Sequence, residues 1–347
     1  MVRQAALAWW AEADITPLGN GHIHQTFLVS VGKTDERFVL QRVNQAVFAD
    51  VQTMALQTPL LLAHLAADPE YAKAFAIVDL VPTHLGALVH AEDDQIWRAW
   101  RYVEQSRVVD PFTNLLQVES AAFAFGAFQR SLAEFKPQAW RPPIPGFLEL
   151  SGYMQVYRQS VEDAESDSVP ADVAVIIDAS LGLLSALGAE RVFIHGDCKI
   201  NNVLFENDRD QAKAVIDLDT VGLGHWAWDF GDLVRSVAFS DGAIELDQFV
   251  ACVDGFSRGR GGFAQSIQTT ADQMSIAPAY IALTLGVRFI TDHLRGDEYF
   301  KVSVRGDNVR RAREQLRLLE QFIAQRKRLF ESALSRLTLH ARSSELS

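Results

Sequence analysis

The chain has 347 residues, 48% of them hydrophobic, which is enough to bury the core of one large domain or of two lobes. Its net charge of −12 argues against a nucleic-acid-binding protein, because no basic surplus would offset the charge of the phosphates. The two cysteines give neither a disulfide framework nor a zinc-site spacing. With no targeting segment and no apolar run of the ~20 residues that span a bilayer, we expect a soluble, cytoplasmic monomer or homodimer without a membrane partner.

The N-terminal part is predicted to form β-strands around a glycine turn. A short helix is expected over residues 4–13, followed by strands at 15–18 and 26–31. The segment between these strands is typical of a plain hairpin, although glycines also let backbone amides approach phosphate groups closely. The turn and the histidines after it are therefore candidates for ligand contacts: Gly19, Asn20, Gly21 and His22 for a nucleotide, and His24 for a substrate.

The rest of the chain is predicted to be mostly helical. Further strands are expected at 37–43, 76–80 and 95–102. Apolar spacing predicts helices over residues 50–65, 115–134, 148–163, 171–187, 278–294 and 307–337. Residues 254–263 are rich in glycine, which favours a flexible loop over a phosphate-binding one, and residues 338–347 are expected to be a frayed tail.

Residues 192–224 read as an apolar strand, a polar loop and a hairpin. Strands are predicted at 192–194, 203–205 and 214–216, with a turn rich in Asn and Asp between the last two. Because the hairpin folds back beside the polar loop, side chains that are distant in the sequence can converge. They are Asp197 and Asn202 from the loop and Asp217 from the end of the third strand.

This set of side chains suits phosphoryl transfer, in which catalysis is mostly positioning and electrostatics. Asp197 can accept the proton of a substrate hydroxyl, and Lys199 can neutralise charge on the transferring group. The oxygens of Asn202 and Asp217 are hard ligands of the kind that Mg²⁺ prefers. A hairpin with a polar tip and solvated carboxylates is the structural alternative. The complete spacing, HGDxxxxN followed by strand, turn, strand and IDLD, favours the catalytic interpretation.

The HGD motif with Asn202 and the later Ile216-Asp217 pair resemble the motifs of the aminoglycoside phosphotransferase and choline kinase group. The resemblance implies an α+β, protein-kinase-like fold with two lobes. The smaller, β-rich lobe would span residues 1–103 and the larger, mostly helical lobe residues 104–347, with a hinge near 103–107. It also implies ATP and Mg²⁺ as cofactors, with the adenine edge held by hinge backbone groups at Val103, Glu104 and Gln105.

Compared with this group, the sequence lacks one expected residue and contains one motif that could be mistaken for the metal-binding motif. The strand Lys that holds phosphates in this group is replaced by Gln41 or Arg42, and the next helix contains no Glu to pair with it. Asp219 is expected to bind a second Mg²⁺ or to accept loop amides. Asp229 lies in a literal Asp-Phe-Gly, but it follows the IDLD strand and is expected to support the catalytic loop, which leaves the metal to Asp217.

Within the group, the segments LGNGHIHQTF, FVLQRVN, HGDCKINNVLF and RFITDHLRGDEYF resemble the N-acetylhexosamine 1-kinases. This implies transfer of the γ-phosphoryl of ATP to the anomeric hydroxyl of the sugar, with Asp197 as base. The implied sugar contacts are Arg288, Asp292, Asp297 and Tyr299. Two alternatives stay open. One is a kinase for another small hydroxyl substrate, such as an aminoglycoside, choline, homoserine or another sugar. The other is a non-catalytic, kinase-like binding protein.

Overall fold

The computed structural model describes residues 1–19, 23–32, 36–164, 169–240 and 243–345. Strands dominate the first third of the chain and helices the remainder, which confirms the expected α+β class. The strands are β1 (Asp14–Pro17), β2 (Gln25–Val31), β3 (Glu36–Arg42), β4 (Leu80–Val81), β5 (His90–Glu92), β6 (Gln95–Arg101), β7 (Ser106–Val108), β8 (Val192–Ile194), β9 (Val203–Glu206), β10 (Ala212–Val215), β11 (Gly222–Gly224), β12 (Phe239–Ser240) and β13 (Ala243–Ile244). The α-helices are α1 (Val2–Ala6), α2 (Val51–Ala67), α3 (Pro69–Ala74), α4 (Leu115–Leu132), α5 (Leu150–Asp163), α6 (Ala171–Ala179), α7 (Trp226–Val237), α8 (Leu246–Arg260), α9 (Ile267–Leu294) and α10 (Asp307–Glu345).

The N-terminal strands form one antiparallel sheet in the order β1-β2-β3-β6-β4, with β5 also paired to β6. Strand side chains alternate between the two faces of a sheet. One face is apolar and packs against the start of the chain through Trp9, Trp10, Val29, Phe38, Leu40, Trp97 and Ala99. The opposite face carries Gln41 and Arg98, which are direct partners across β3 and β6. The sheet therefore presents polar side chains on the face away from this core.

The large core forms around α4, α7, α8, α9 and α10. Helix α9 is long and apolar enough to cross a membrane by length and composition, but 83% of its most apolar stretch is buried inside the protein. It is therefore the central packing helix of this region. The sequence had predicted it only from Pro278, whereas it begins after the cap at Ser266, whose hydroxyl accepts from the Thr269 amide.

The glycine-rich segment at 254–263 was predicted to be a loop, and this prediction is wrong. Residues up to Arg260 continue α8, and only Gly261, with φ +76°, ends the helix. A Cβ on Gly255 or Gly259 would lie 2.1 Å from a carbonyl oxygen of α4. These glycines are needed because the backbones of α4 and α8 approach each other closely.

Several other boundaries differ from expectation, and the strand expected at 76–80 is limited to Leu80–Val81. Helix α1 ends at Ala6 rather than continuing to residue 13, and α6 gives way to a 3-10 turn at Leu181–Ser185. The expected tail is helical as far as Glu345, because Arg336 and His340 of α10 both bond the Asp254 carboxylate.

The expected hinge lies between β6 and β7. Strand β7 pairs with β9, a strand of the predicted catalytic hairpin, which suits a boundary near residue 103. However, Leu61, Leu65 and Tyr71 from α2 and α3 are part of the large helical core, although they precede that boundary. The division into residues 1–103 and 104–347 stays a prediction.

Candidate active site

The polar loop at residues 195–201, predicted to be catalytic and called the catalytic loop below, follows β8 and is fixed by hydrogen bonds to the loop after β10. The His195 ring accepts from the Asp197 amide at Nδ1, so Nε2 carries the proton and donates to the Ile216 carbonyl at 2.9 Å. The Ile216 amide in turn donates to the Asn202 carbonyl. Gly196 has φ +86°, and a Cβ there would lie 2.8 Å from the Thr220 carbonyl oxygen. The two loops therefore approach at a distance that excludes a side chain.

Asp229 supports the catalytic loop through hydrogen bonds to its backbone, as expected. Its buried carboxylate accepts from the backbone amides of His195 and Gly196 at 2.9 and 2.8 Å. Gln129 of α4 donates to the same carboxylate at 2.7 Å. Three donors thus occupy Asp229, at the start of α7, where a negative charge also favours the helix dipole.

Asp197 and its two neighbours form a hydrogen-bonded group at the tip of the loop. One carboxylate oxygen of Asp197 lies 2.6 Å from Lys199 Nζ, and the other accepts from Asn202 Nδ2 at 2.9 Å. Burial raises the pKa of Asp197, but the adjacent Lys199 ammonium outweighs this effect and holds the pKa below its ordinary value. Asp197 is therefore ionised and able to accept a proton or a hydrogen bond from a hydroxyl group.

Asp217 begins the short turn after β10 in a left-handed conformation, with φ 60° and ψ 60°. Its side chain reaches the protein surface, whereas Asp219, two residues later, is buried. Surrounding protein raises the pKa of Asp217, and the negative charges of Asp219 and Asp197 raise it further. Oxygen or nitrogen atoms of Asp217, Asp219 and His24 lie within 4.8 Å of one another. The Asp217 carboxylate therefore lies near other negative charges, and a bound cation would reduce the repulsion between them.

Asp219 already has two partners in this structure. Its carboxylate accepts from both terminal nitrogens of Arg98, one at 2.6 Å, and from His24 Nε2 at 2.7 Å. Burial raises the pKa of Asp219, but the positive charge of Arg98 outweighs burial and holds the pKa well below its usual range. A second metal at Asp219 stays a prediction. In this structure both Asp219 oxygens are bonded to protein donors.

His24, a predicted substrate contact, is buried beside this ion pair. Nδ1 accepts from the Asn44 amide at 3.2 Å, so Nε2 carries the proton that is donated to Asp219. The ring also stacks on Phe48. Both ring nitrogens are bonded within the protein, and contact between His24 and a substrate stays a prediction.

The other predicted nucleotide contacts in the N-terminal region are distributed over two faces. Gly19 has φ +68°, while Asn20, Gly21 and His22 lie outside the described residues. Gln41 accepts from Arg98 and Trp100, on the face away from the N-terminal core. Arg42 follows it on the opposite face, where its guanidinium is 4.0 Å from the Met1 sulfur. Of the two candidates for the missing Lys position, Gln41 is the one beside Arg98.

The hinge residues are joined to both regions of the protein. Ser106 donates to the Val103 carbonyl at 2.6 Å, and the Glu104 carboxylate pairs with Arg37 on β3. Gln105 has φ +54°, and its carbonyl accepts from Lys213 at 3.2 Å. Adenine binding at these three residues stays a prediction.

Four aromatic rings surround Arg288 as a cage, two from residues 147–153 and two from the segment at 288–300. Its guanidinium carbon lies 5.0–5.4 Å from the ring centres of Phe147, Tyr153, Tyr299 and Phe300. Arg288 also donates to the Tyr299 hydroxyl at 3.2 Å. Burial raises the pKa of Tyr299, and the charge of Asp197 contributes in the same direction, although Arg288 opposes it.

Asp292 and Asp297 fix the conformation of the segment at 288–300. Asp292 accepts from the amides of Tyr299 and Phe300 at 2.8 and 3.0 Å. Asn308 of α10 donates to both Asp292 and Asp297 at 2.8 Å. Their carboxylates are thus used to position Tyr299 beside Arg288, and direct contacts from either carboxylate to a sugar stay predictions.

Sequence reasoning missed several residues of this site. Arg98 lies in the strand predicted at 95–102 and was given no role, although a charged residue between Trp97 and Ala99 is itself a signal. Asp232 and Arg235 form an ion pair at 2.7 Å on α7. Burial lowers the pKa of Lys199, but the charges of Asp197 and Asp232 outweigh it and raise the pKa overall. The i, i+3 spacing of Asp232 and Arg235 on a buried helix was the sequence signal for this ion pair.

The residues present fit a divalent cation next to a phosphoryl-transfer site. Asp217 offers a carboxylate, and the Asn202 amide nitrogen is committed to Asp197, which leaves its amide oxygen as the possible ligand. Oxygen donors of these two kinds suit Mg²⁺. When bound, Mg²⁺ would neutralise negative charge on the phosphates.

Comparison with known proteins agrees with this geometry. The Phosphotransferase enzyme family matches residues 14–261. Among solved structures, the chain is similar to a choline/ethanolamine kinase family protein from Mesorhizobium loti, with 15% identity, a TM-score of 0.58 and 97% of each chain covered. It is also similar to an amicoumacin kinase in complex with AMP-PNP, Ca²⁺ and Ami, with 14% identity, a TM-score of 0.58 and coverage of 95% and 92%. A choline kinase from Cryptosporidium parvum gives 12% identity, a TM-score of 0.60 and coverage of 94% and 92%. These likenesses show a protein-kinase-like fold with a sheet-rich N-terminal region and a helical C-terminal region.

Proposed function

Because this chain belongs to the Phosphotransferase enzyme family, we propose that it transfers the γ-phosphoryl group of ATP to the anomeric hydroxyl of an N-acetylhexosamine. Asp197 orients that hydroxyl and takes its proton as the new oxygen–phosphorus bond forms and the bond to ADP breaks. Lys199, 2.6 Å from Asp197, neutralises charge near the transferring group. Asn202 and Asp217 would hold Mg²⁺.

The observation that carries the sugar proposal is the occupied cage around Arg288. Aromatic rings that surround a cation are the usual means of binding a quaternary ammonium group such as that of choline. Here the guanidinium of Arg288 already fills the space between the four rings. Among the described residues, Arg288 forms no ion pair with a carboxylate. Its free donors therefore favour a neutral acceptor rich in oxygen over a cationic one.

The chemistry of an N-acetylhexosamine matches these groups. Its hydroxyl and acetamide oxygens can accept from a guanidinium, and the apolar face of its ring can cover Tyr299 or Tyr153. A polycationic aminoglycoside or an amino alcohol would place its positive charge near Arg288, which has no carboxylate partner among the described residues. This charge pattern supports the sugar over the other acceptors.

The proposal is tested by ATP consumption with a panel of acceptors. The panel contains N-acetylglucosamine, N-acetylgalactosamine, glucose, galactose, an aminoglycoside, choline and homoserine. We expect turnover with at least one N-acetylhexosamine and a lower kcat/KM for every cationic acceptor. A test variant is Arg288→Met, which keeps most of the side-chain volume and should raise KM for the sugar while leaving ATP binding unchanged. Turnover confined to cationic acceptors, or no turnover with any N-acetylhexosamine, refutes the sugar proposal.

A further inference from the structure

The proposed site has a shortage of positive charge. Three carboxylates, Asp197, Asp217 and Asp219, lie in two adjoining loops, and a triphosphate would add more negative charge. Lys199 is already paired with Asp197. On the neighbouring sheet, β3 places the uncharged Gln41 toward the site. A phosphate chain bound between the sheet and these loops needs a further cation from the protein.

Arg98 is the cation in that position. It is the cross-strand partner of Gln41, and its Nε donates to the Gln41 side-chain oxygen at 3.0 Å. Both terminal nitrogens reach across to Asp219, 121 residues further along the chain. Only 3% of Arg98 is exposed. Its guanidinium is therefore aimed from the sheet at the loop that carries Asp217.

A phosphate could take the place of the Asp219 carboxylate in its hydrogen bonds with Arg98. A guanidinium presents two parallel N–H groups that match the oxygens of a carboxylate and of a phosphate equally well. The Gln41 contact uses Nε and would keep the side chain oriented while the two terminal nitrogens change partner. Asp219 would retain His24, which donates to it at 2.7 Å.

We propose that Arg98 is a phosphate-binding residue of this enzyme, and that Asp219 occupies its guanidinium only while no nucleotide is bound. Arg98 thus supplies, from β6, the positive charge that Gln41 cannot supply from β3. Binding of ATP exchanges the carboxylate of Asp219 for phosphate oxygens on Arg98. This inference rests on the proposed use of ATP by the site.

A competing interpretation assigns Arg98 a purely structural role, as an ion pair that ties the sheet to the loop. The two interpretations differ in how they treat the phosphates of the ligand. A phosphate-binding Arg98 matters for ATP and ADP but not for adenosine. A structural Arg98 matters equally for all three, because its loss would distort the whole binding site.

The test measures binding of ATP, ADP and adenosine by calorimetry in EDTA, so that no metal and no acceptor is required. Arg98→Gln should weaken ATP binding by about 10- to 100-fold, the loss expected for removal of charge-assisted hydrogen bonds. Adenosine binding should stay unchanged. The matched control is Arg101→Gln, from the same strand but the opposite face, where Arg101 is half exposed and pairs with Glu36 and Asp79. Equal losses for ATP and adenosine, or an unchanged ATP affinity, overturn the proposal.

A second variant keeps the test decisive if Arg98→Gln fails to fold. Asp219→Asn removes the competing charge, so metal-free ATP should bind more tightly than to the wild-type protein, with adenosine again unchanged. Weaker ATP binding in Asp219→Asn would contradict the exchange. Because these measurements use no acceptor, failure of every N-acetylhexosamine in the turnover assay refutes the sugar proposal alone. Failure of wild-type protein to bind ATP in a parallel titration with Mg²⁺ present refutes both proposals.

Discussion

Asp229→Asn separates the roles of the two aspartates that could be mistaken for each other, Asp217 and Asp229. The substitution keeps the shape of the side chain and removes its charge. Asp229 accepts three hydrogen bonds, from the amides of His195 and Gly196 and from Gln129. Asparagine has one acceptor oxygen, and its NH₂ group would face one of these donors.

The magnitude follows from the one donor that loses its acceptor. An unsatisfied buried amide costs about 1–3 kcal/mol, and bonds to a charged acceptor are stronger than those to a neutral one. Since Asp229 is fully buried, solvent cannot substitute for the lost bond. If this cost acts on the native conformation of the catalytic loop, kcat/KM should fall by about 5- to 150-fold.

The assay combines steady-state ADP release with urea unfolding, at several Mg²⁺ concentrations. The control is Asp254→Asn, another buried aspartate, which pairs with Arg336 and His340 away from the site. It should lower the free energy of unfolding and leave kcat/KM unchanged. Wild-type kcat/KM in Asp229→Asn would refute the supporting role. Recovery of its activity at high Mg²⁺ would instead assign the metal to Asp229.

Three further predictions follow from the same structure. Asp197→Asn should abolish turnover while ATP still binds in a calorimetric titration; normal turnover would remove Asp197 from the base role. Gly255→Ala should lower the free energy of unfolding by ~1–3 kcal/mol through overpacking, since its Cβ would lie 2.1 Å from the Glu119 carbonyl oxygen, whereas Gly152→Ala, in open space on α5, should raise it by up to ~1 kcal/mol. A loss at both glycines would refute the packing explanation. Finally, the lowered pKa of Asp219 means that its ion pair stabilises the folded state above the ordinary carboxyl pKa of about 3.9, and that this contribution is lost as the pH falls through the lowered value. In metal-free urea unfolding, the gap between wild type and Asp219→Asn should therefore shrink below about pH 4; a gap that widens there would contradict the ion-pair assignment.

The catalytic hairpin could be predicted from sequence because its signals are local. Strand β8 was predicted with the boundaries that the structure has, and the loop and turn residues follow it in a fixed order. The supporting role of Asp229 came from the resemblance to the phosphotransferase group, in which an Asp at this place after the IDLD strand supports the catalytic loop.

The remaining features depend on contacts between distant segments. Nothing near Arg98 in the sequence indicates that it pairs with Asp219, because the contact is formed only when the N-terminal sheet packs against the loop after β10. Gly255 and Gly259 looked like loop residues, since propensity alone cannot register that α4 lies against them. Likewise, the sequence does not show that the Asp292 carboxylate accepts from backbone amides, and the sugar contact predicted for it stays a prediction.

The central proposal is transfer to an anomeric hydroxyl, and the site of phosphorylation on the product tests it most directly. Purified protein, ATP and Mg²⁺ would be incubated with N-acetylglucosamine or N-acetylgalactosamine, and the product examined by phosphorus and proton NMR. We expect a sugar 1-phosphate, in which the anomeric proton couples to phosphorus and the free reducing end is lost. A phosphate on any other hydroxyl, or no phosphorylated sugar while another acceptor is consumed, would contradict the proposal.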